Sequence, residues 1–236
     1  VNDQIADIFG ATAVAAIMGR ANPRITATGL TGTFGGGDFS GSAYDHIYEK
    51  GGWLRSSKSY DIAKAVPDDV GRFLDEASKS ILEQAQQFGA ALGLPAEQLA
   101  SVTKSISLEF NNGNTQEEIR AALMGALEGY GNALVEGWAA TIAPLKTYGE
   151  TTEQTINRVG AAIGRTNEVL NLLGKTALQA SVDGGKAAVD LESLFGGTDG
   201  FRAAAGQYLQ DFYSEAERAA LATNQLGQEL ARLAER

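Results

Sequence analysis

The stretch GTFGGGDFSGSAYDHIYEKGGWLRSSKSY, residues 32–60, decides how the chain folds. It carries a run of three glycines and the only histidine of the sequence. Three readings compete for it: a phosphate-cradling loop, an active site around His46, or turns between strands. A phosphate loop needs GxxxxGK and then Ser or Thr, so that amides cradle the phosphate and the lysine reaches it. GLTGTFGGGD, residues 29–38, has the glycines without the following Lys-Ser/Thr. A dinucleotide fold needs GxGxxG between a strand and a helix, whereas these glycines sit between two strands. They read as positive-φ positions at hairpin turns. His46 reads as a partnerless, half-exposed sheet histidine. Its neighbour Asp45 points to the other face of the strand, so neither a general base nor a metal site is built around it.

The flanks support the strand reading. RITATGLTGTF, residues 24–34, alternates and is rich in Thr. FSGSAYDHIYE, residues 39–49, puts Tyr44, His46 and Tyr48 on one face and Ala43, Asp45 and Ile47 on the other. After the KGG break, WLRSSKSYDIA supplies one or two short strands around a polar turn at Arg55–Ser59. An antiparallel meander of three or four strands is expected from residue 23 onward. Upstream, IADIFGATAVAAIMG, residues 5–19, is the most apolar run. It is shorter than the ~20 residues that span a bilayer. Asp3 and Asp7 stand where a signal peptide carries positive charge. Residues 1–22 read as an apolar helix that is buried or partner-facing.

Downstream the period changes from two to three or four. Pro67-Asp68-Asp69 opens a helix, with its acids placed to meet the helix dipole. Its apolar stripe is Val70, Phe73, Ala77, Ile81, Ala85, Phe88 and Leu92, and Gly93 ends it. A short turn from Pro95 to Ala100, a strand over SVTKSISLEF and an NNGN turn follow. Thr115 and Glu118 form a capping box. The helix behind it carries Ile119, Leu123, Leu127, Tyr130, Leu134, Trp138 and Ile142, with Pro144 as its stop. A second box, Thr151 and Gln154, precedes Ile156, Val159, Ile163, Thr166, Leu170 and Leu173. That is a heptad seam of under three heptads. Ile156, Val159, Ile163, Leu170 and Leu173 form either a self-association face or a core seam within one chain. Further helices are expected over 176–195, from Phe201 to Phe212, and from a third box (Ser214, Glu217) to the end. The last carries Ala219, Thr223, Leu226, Leu230 and Leu233. The fold class is α+β: a small antiparallel β-meander packed with helices, followed by a mainly helical C-terminal half. The domains are 1–22, 23–147 and 148–236.

The bulk numbers bound the function. Apolar residues make up 44% of 236, enough for a packed core. The net charge is −10, with no basic run. That disfavours specific nucleic-acid binding. There is no cysteine, hence no disulfide and no zinc–thiolate site. No serine sits in a GxSxG elbow. The pairs Asp68-Asp69 and Glu117-Glu118 lie at helix starts, where the dipole accounts for them. Arg55 with Lys58 is a solvated turn or an anion site. Trp53, Tyr60, Trp138 and Phe212 are core or interface anchors. No catalytic, cofactor or metal constellation emerges.

Three blocks, in order, resemble the C-terminal region of tail tape measure proteins from long-tailed bacteriophages and prophages. The first is ITATGLTGTFGGGDFSGSAYDHIYEKGGWLRSSKSY, with its KGGW-x-R-S-x-K-S ending. The second, residues 148–174, is similar to the family's G-E-T-x-x-x-T-x-x-R-V helix closing in Leu-Gly. The third, residues 190–220, is similar to its L-F-G-G-x-D-x-F…Y-x-x-x-F-Y-S-x-x-E-R segment. The resemblance implies a structural, non-enzymatic protein of the virion, at the tail tip or in the tail lumen, and in the host cytoplasm during assembly. It implies roles in tail assembly, length determination and genome ejection. The implied partners are other copies of itself, tail tube and tail-tip proteins, and a membrane met by residues 5–19 on ejection. It also implies that the chain is the C-terminal part of a longer one. The acidic balance would keep passing DNA from sticking. The competing reading is a helical interaction module of a bacterial secretion or envelope system. A cell-wall hydrolase would need a catalytic acid in a cleft.

Overall fold

A computed structural model describes residues 24–51 and 56–234. The apolar segment 5–19, Trp53 and Arg55 lie outside the described residues. The fold is α+β, as the periodicities imply. Strands β1 (Arg24–Gly35), β2 (Asp38–Glu49), β3 (Lys58–Lys64) and β4 (Thr103–Asn111) make one antiparallel sheet in the order β3-β2-β1-β4. The first three strands are the expected meander, and SVTKSISLEF joins it on the β1 side. The helices are α1 (Asp68–Ala90), α2 (Glu97–Ala100), α3 (Gln116–Glu136), α4 (Ala139–Ile142), α5 (Thr152–Leu172), α6 (Val182–Leu194), α7 (Thr198–Phe212) and α8 (Glu215–Ala234). Two compact units result: residues up to Ala85 with Ala96–Gly137, and Gln86–Pro95 with Trp138–Arg236. Residues 86–95 and 138–147, grouped with the sheet on sequence, thus fall in the helical unit.

In the sheet unit, Gly36 (φ 62°) and Gly37 (φ 87°) form the two-residue turn between β1 and β2. Two positive φ angles in succession give the mirror-image turn whose twist matches paired strands, and glycine takes them without a Cβ clash. From this turn the register runs Gly35↔Asp38 to Thr28↔Asp45 without a slip. Side chains therefore alternate. Leu30, Phe34, Ala43, Ile47 and Phe110 are buried, while Tyr44, His46 and Tyr48 stand on the outer face. Asp45 falls on the core face and is 1% exposed. Lys64 of β3 pairs with it, because a buried carboxylate without a partner charge costs several kcal/mol (roughly 3–5).

Helix α3 lays Tyr130 against Phe34, with ring centroids 5.3 Å apart. Its first turn is held by the Thr115–Glu118 capping box. In α1 Leu74, Ser78 and Ala85 are buried; of the expected stripe Ala85 is buried, Val70, Ala77, Ile81 and Phe88 are half-buried, and only Phe73 is left out. Phe73 is 46% exposed. The helix is rotated from its most apolar orientation because Ser78 is drawn inward to the glycine turn, where its Oγ donates to Gly37 O at 2.7 Å.

The helical unit is built on α5 and on Trp138, whose ring takes the space a Cβ on Gly89 would need and whose Nε1 donates to Pro95 O at 3.1 Å. The helix over Ile119–Ile142 expected on sequence is broken at Gly137, and α4 with a 3₁₀ turn over Ala143–Leu145 takes up the remainder. The helix expected over 176–195 starts only at Val182. Asn167 of α5 captures both backbone groups of Leu178, at 2.6 and 3.0 Å, which holds that segment out of helical hydrogen bonding. Gly174 and Gly196 end their helices at positive φ, as expected of glycine stops.

Replacing Gly37 by Ala would force a Cβ into positive φ and to 3.2 Å from Leu82. Urea denaturation should show a loss of about 1–2 kcal/mol. Ser78→Ala should cost about 1–3 kcal/mol, because it orphans the Gly37 carbonyl in the core.

Candidate functional site

Gly37 is bonded through both of its backbone groups. Gly37 N–H donates to the Tyr130 hydroxyl at 3.3 Å, Gly37 O accepts from Ser78, and Phe39 N–H donates to Asp75 Oδ1 at 2.8 Å. A phosphate would have to displace these bonds and would meet the Asp75 carboxylate. The turn reading therefore stands and the phosphate reading does not. Burial pushes the Tyr130 phenol up, against the Gly37 hydrogen bond that lowers it. It stays neutral and able to accept.

The outer sheet face corrects the reading of His46 as partnerless. His46 Nδ1 lies 2.6 Å from Asp61 Oδ1, directly across the β2–β3 pair. Hairpin register is the signal that would have found it: once Glu49 faces Lys58, residue 46 must face 61. Both side chains are exposed, 36% and 56%, so the pair is worth at most about 1 kcal/mol. An aspartate-oriented imidazole is two-thirds of a hydrolytic triad. On the same face the Tyr48 hydroxyl bonds Ser57 at 3.0 Å, while Tyr60, paired with Ile47 and so on the opposite face, bonds Glu49 at 2.9 Å. Among the described residues no group of three His, Cys, Asp or Glu could hold a metal.

In the helical unit the seam is core. Ile156, Val159 and Ile163 are 1%, 0% and 6% exposed. A Cβ on Gly185 of α6 would come within 2.4 Å of Val159, so α6 already fills the groove beside it. Leu170 and Leu173 pack on the Val169–Phe201–Ala205 cluster. The self-association face expected at these five residues is thus occupied by the chain's own α6 and α7. Thr152, Thr155 and Thr166 are buried on α5 as well.

Two arginines lock this unit. Arg158 holds Glu150 through two bonds, at 2.6 and 2.9 Å, and also donates to Leu145 O at 2.7 Å. This bidentate contact holds the Glu150 carboxyl well below its ordinary value. Arg165 grips Glu192 in the same way and lowers its pKa, with Thr198 completing the cluster. Both clusters join separate elements: Arg158 ties α5 to Glu150 and Leu145, and Arg165 ties α5 to Glu192 and Thr198.

Several large apolar side chains remain exposed. Leu226, Leu230 and Leu233 of α8 are 62%, 58% and 66% exposed. On α7, Tyr208 and Phe212 form an exposed pair with centroids 5.0 Å apart. The sequence identified the α8 row as a stripe but not as an uncovered one. No described helix is long and apolar enough to cross a membrane. No family model matches the chain, and no curated protein or solved structure matches it.

Two outcomes follow. Ile163→Ala should lower stability by about 2–5 kcal/mol in chemical denaturation, with the sedimentation coefficient of the folded fraction unchanged. Glu150→Gln should destabilise at neutral pH. Its folded-state pKa is depressed, so its contribution is full above the ordinary glutamate value of 4.5 and is lost progressively as pH falls from there toward the depressed folded value. The stability gap between wild type and variant should therefore be largest at neutral pH and narrow steadily below pH 4.5.

Proposed function

We propose that the chain is the C-terminal region of a phage tail tape measure protein and works by protein contacts rather than by catalysis. The reading rests on the ordered run of three family-like blocks, residues 25–60, 148–174 and 190–220. Their motif residues have structural duties that agree with such a role. The GGG run makes the hairpin turn. Arg165 of the second block clasps Glu192 and Thr198 of the third. Phe195 stacks on Phe201 at 5.0 Å across the Gly196-Gly197 stop. The polar clusters are consumed in holding the fold, and the α8 leucine row is the kind of apolar surface that monomers rarely leave uncovered. Its partners would be other copies of the chain and tail-tip proteins, in the virion tail and, during assembly, in the host cytoplasm.

Gold-labelled antibody against this chain should decorate the tail tip of particles from an induced lysate once tails are disrupted. Gold on cell envelopes and none on tails would favour a secretion or envelope interaction module instead.

A further inference from the structure

At the end of the β1–β2 pair away from the glycine turn, the sheet unit has a cleft of about 360 Å³. Small-molecule sites occupy roughly 300–1,000 Å³. Arg24, Ile25 and Thr26 of β1, Tyr48 and Lys50 at the end of β2, and Asn112 of the turn after β4 line it. Its described lining holds two cations and no acid. The acid between Tyr48 and Lys50, Glu49, accepts from the Tyr60 hydroxyl instead. Neither Arg24 nor Lys50 forms an ion pair with a described residue.

Hydrogen bonds hold the walls in place. Arg24 lies directly across from Tyr48 in the strand register, so the two side chains share the outer face. Ser57 Oγ accepts from the Tyr48 hydroxyl at 3.0 Å and from Gly51 N–H at 3.1 Å. Lys50 stands between those two residues and is tied on both sides. Thr26 Oγ1 donates to His46 O at 3.2 Å. The Asn112 amide donates to Ile25 O at 2.8 Å and keeps a second N–H to give. The cations are thus set on a fixed frame while their charges stay uncompensated.

We infer that this cleft binds a phosphate monoester of a small, ring-bearing molecule, of which a nucleoside monophosphate is the test case. The charges match: such a phosphate carries about two negative charges at neutral pH, against one arginine and one lysine. It offers three acceptor oxygens. The guanidinium fork takes two of them, and the ammonium acts as a point charge on the third. An anion between the two cations also removes their mutual repulsion. The Tyr48 ring, 38% exposed and held by its hydroxyl, and Ile25 supply an apolar wall for the body of the ligand. A phosphate polymer is disfavoured, because the net charge of −10 repels it.

The test titrates the whole ¹⁵N-labelled 236-residue chain with AMP, adenosine and inorganic phosphate, following the Gly51 amide and the Asn112 side-chain amide by NMR. AMP should shift both signals saturably. Adenosine and phosphate should each bind at least about 10-fold more weakly. Arg24→Gln and Lys50→Gln should each weaken AMP binding about 10-fold, as loss of a charge-assisted bond does. Lys146→Gln, which removes the same charge from the helical unit, should leave AMP binding unchanged. An AMP response that does not saturate, adenosine binding as tightly as AMP, or undiminished binding in both cleft variants overturns the inference. An equal loss in Lys146→Gln overturns it, since overall charge would then suffice. Phosphate binding as tightly as AMP overturns it too, because Tyr48 and Ile25 would then contribute nothing.

Discussion

The Gly36-Gly37 turn is the constraint on which the sheet unit depends. Its two positive φ angles set the register of β1 against β2, and that register decides which residues reach the core. The turn is then bound from two sides, by Ser78 of α1 and Tyr130 of α3. Because Ser78 must face inward, α1 is rotated, and Phe73 is left outside. A turn tip that usually lies in solvent is here a point of attachment for two helices.

Much of this was legible in the sequence. Period-two alternation placed Ala43, Asp45 and Ile47 against Tyr44, His46 and Tyr48 correctly, because one buried face punishes any slip. The capping boxes at Thr115 and Thr151 formed as written, since each is closed within one helical turn. What failed was long-range. The Asp61 partner of His46 depends on a hairpin register that a string of residues does not display. The loss of helix over 176–181 depends on Asn167, eleven residues from Leu178. The Ile156–Leu173 seam has the same spacing whether a second copy or α6 fills it. Only packing distinguishes the two, and the small residues Gly184, Gly185 and Ala188 let α6 in.

A consistent division of labour follows. Charged side chains that could have done chemistry are locked into joints: Arg158 with Glu150, Arg165 with Glu192, Lys64 with Asp45. Apolar side chains are left exposed on α8, on α7 and at Phe73.

The status of the glycine turn separates this account from any ligand-loop alternative, and amide hydrogen exchange at Gly37 and Phe39 tests it most directly. Both amides should exchange only as slowly as the core amides of β1, because the Tyr130 and Asp75 bonds open only with the unit. Exchange at the rate of a free loop would contradict the account and reopen the glycine stretch as a binding site.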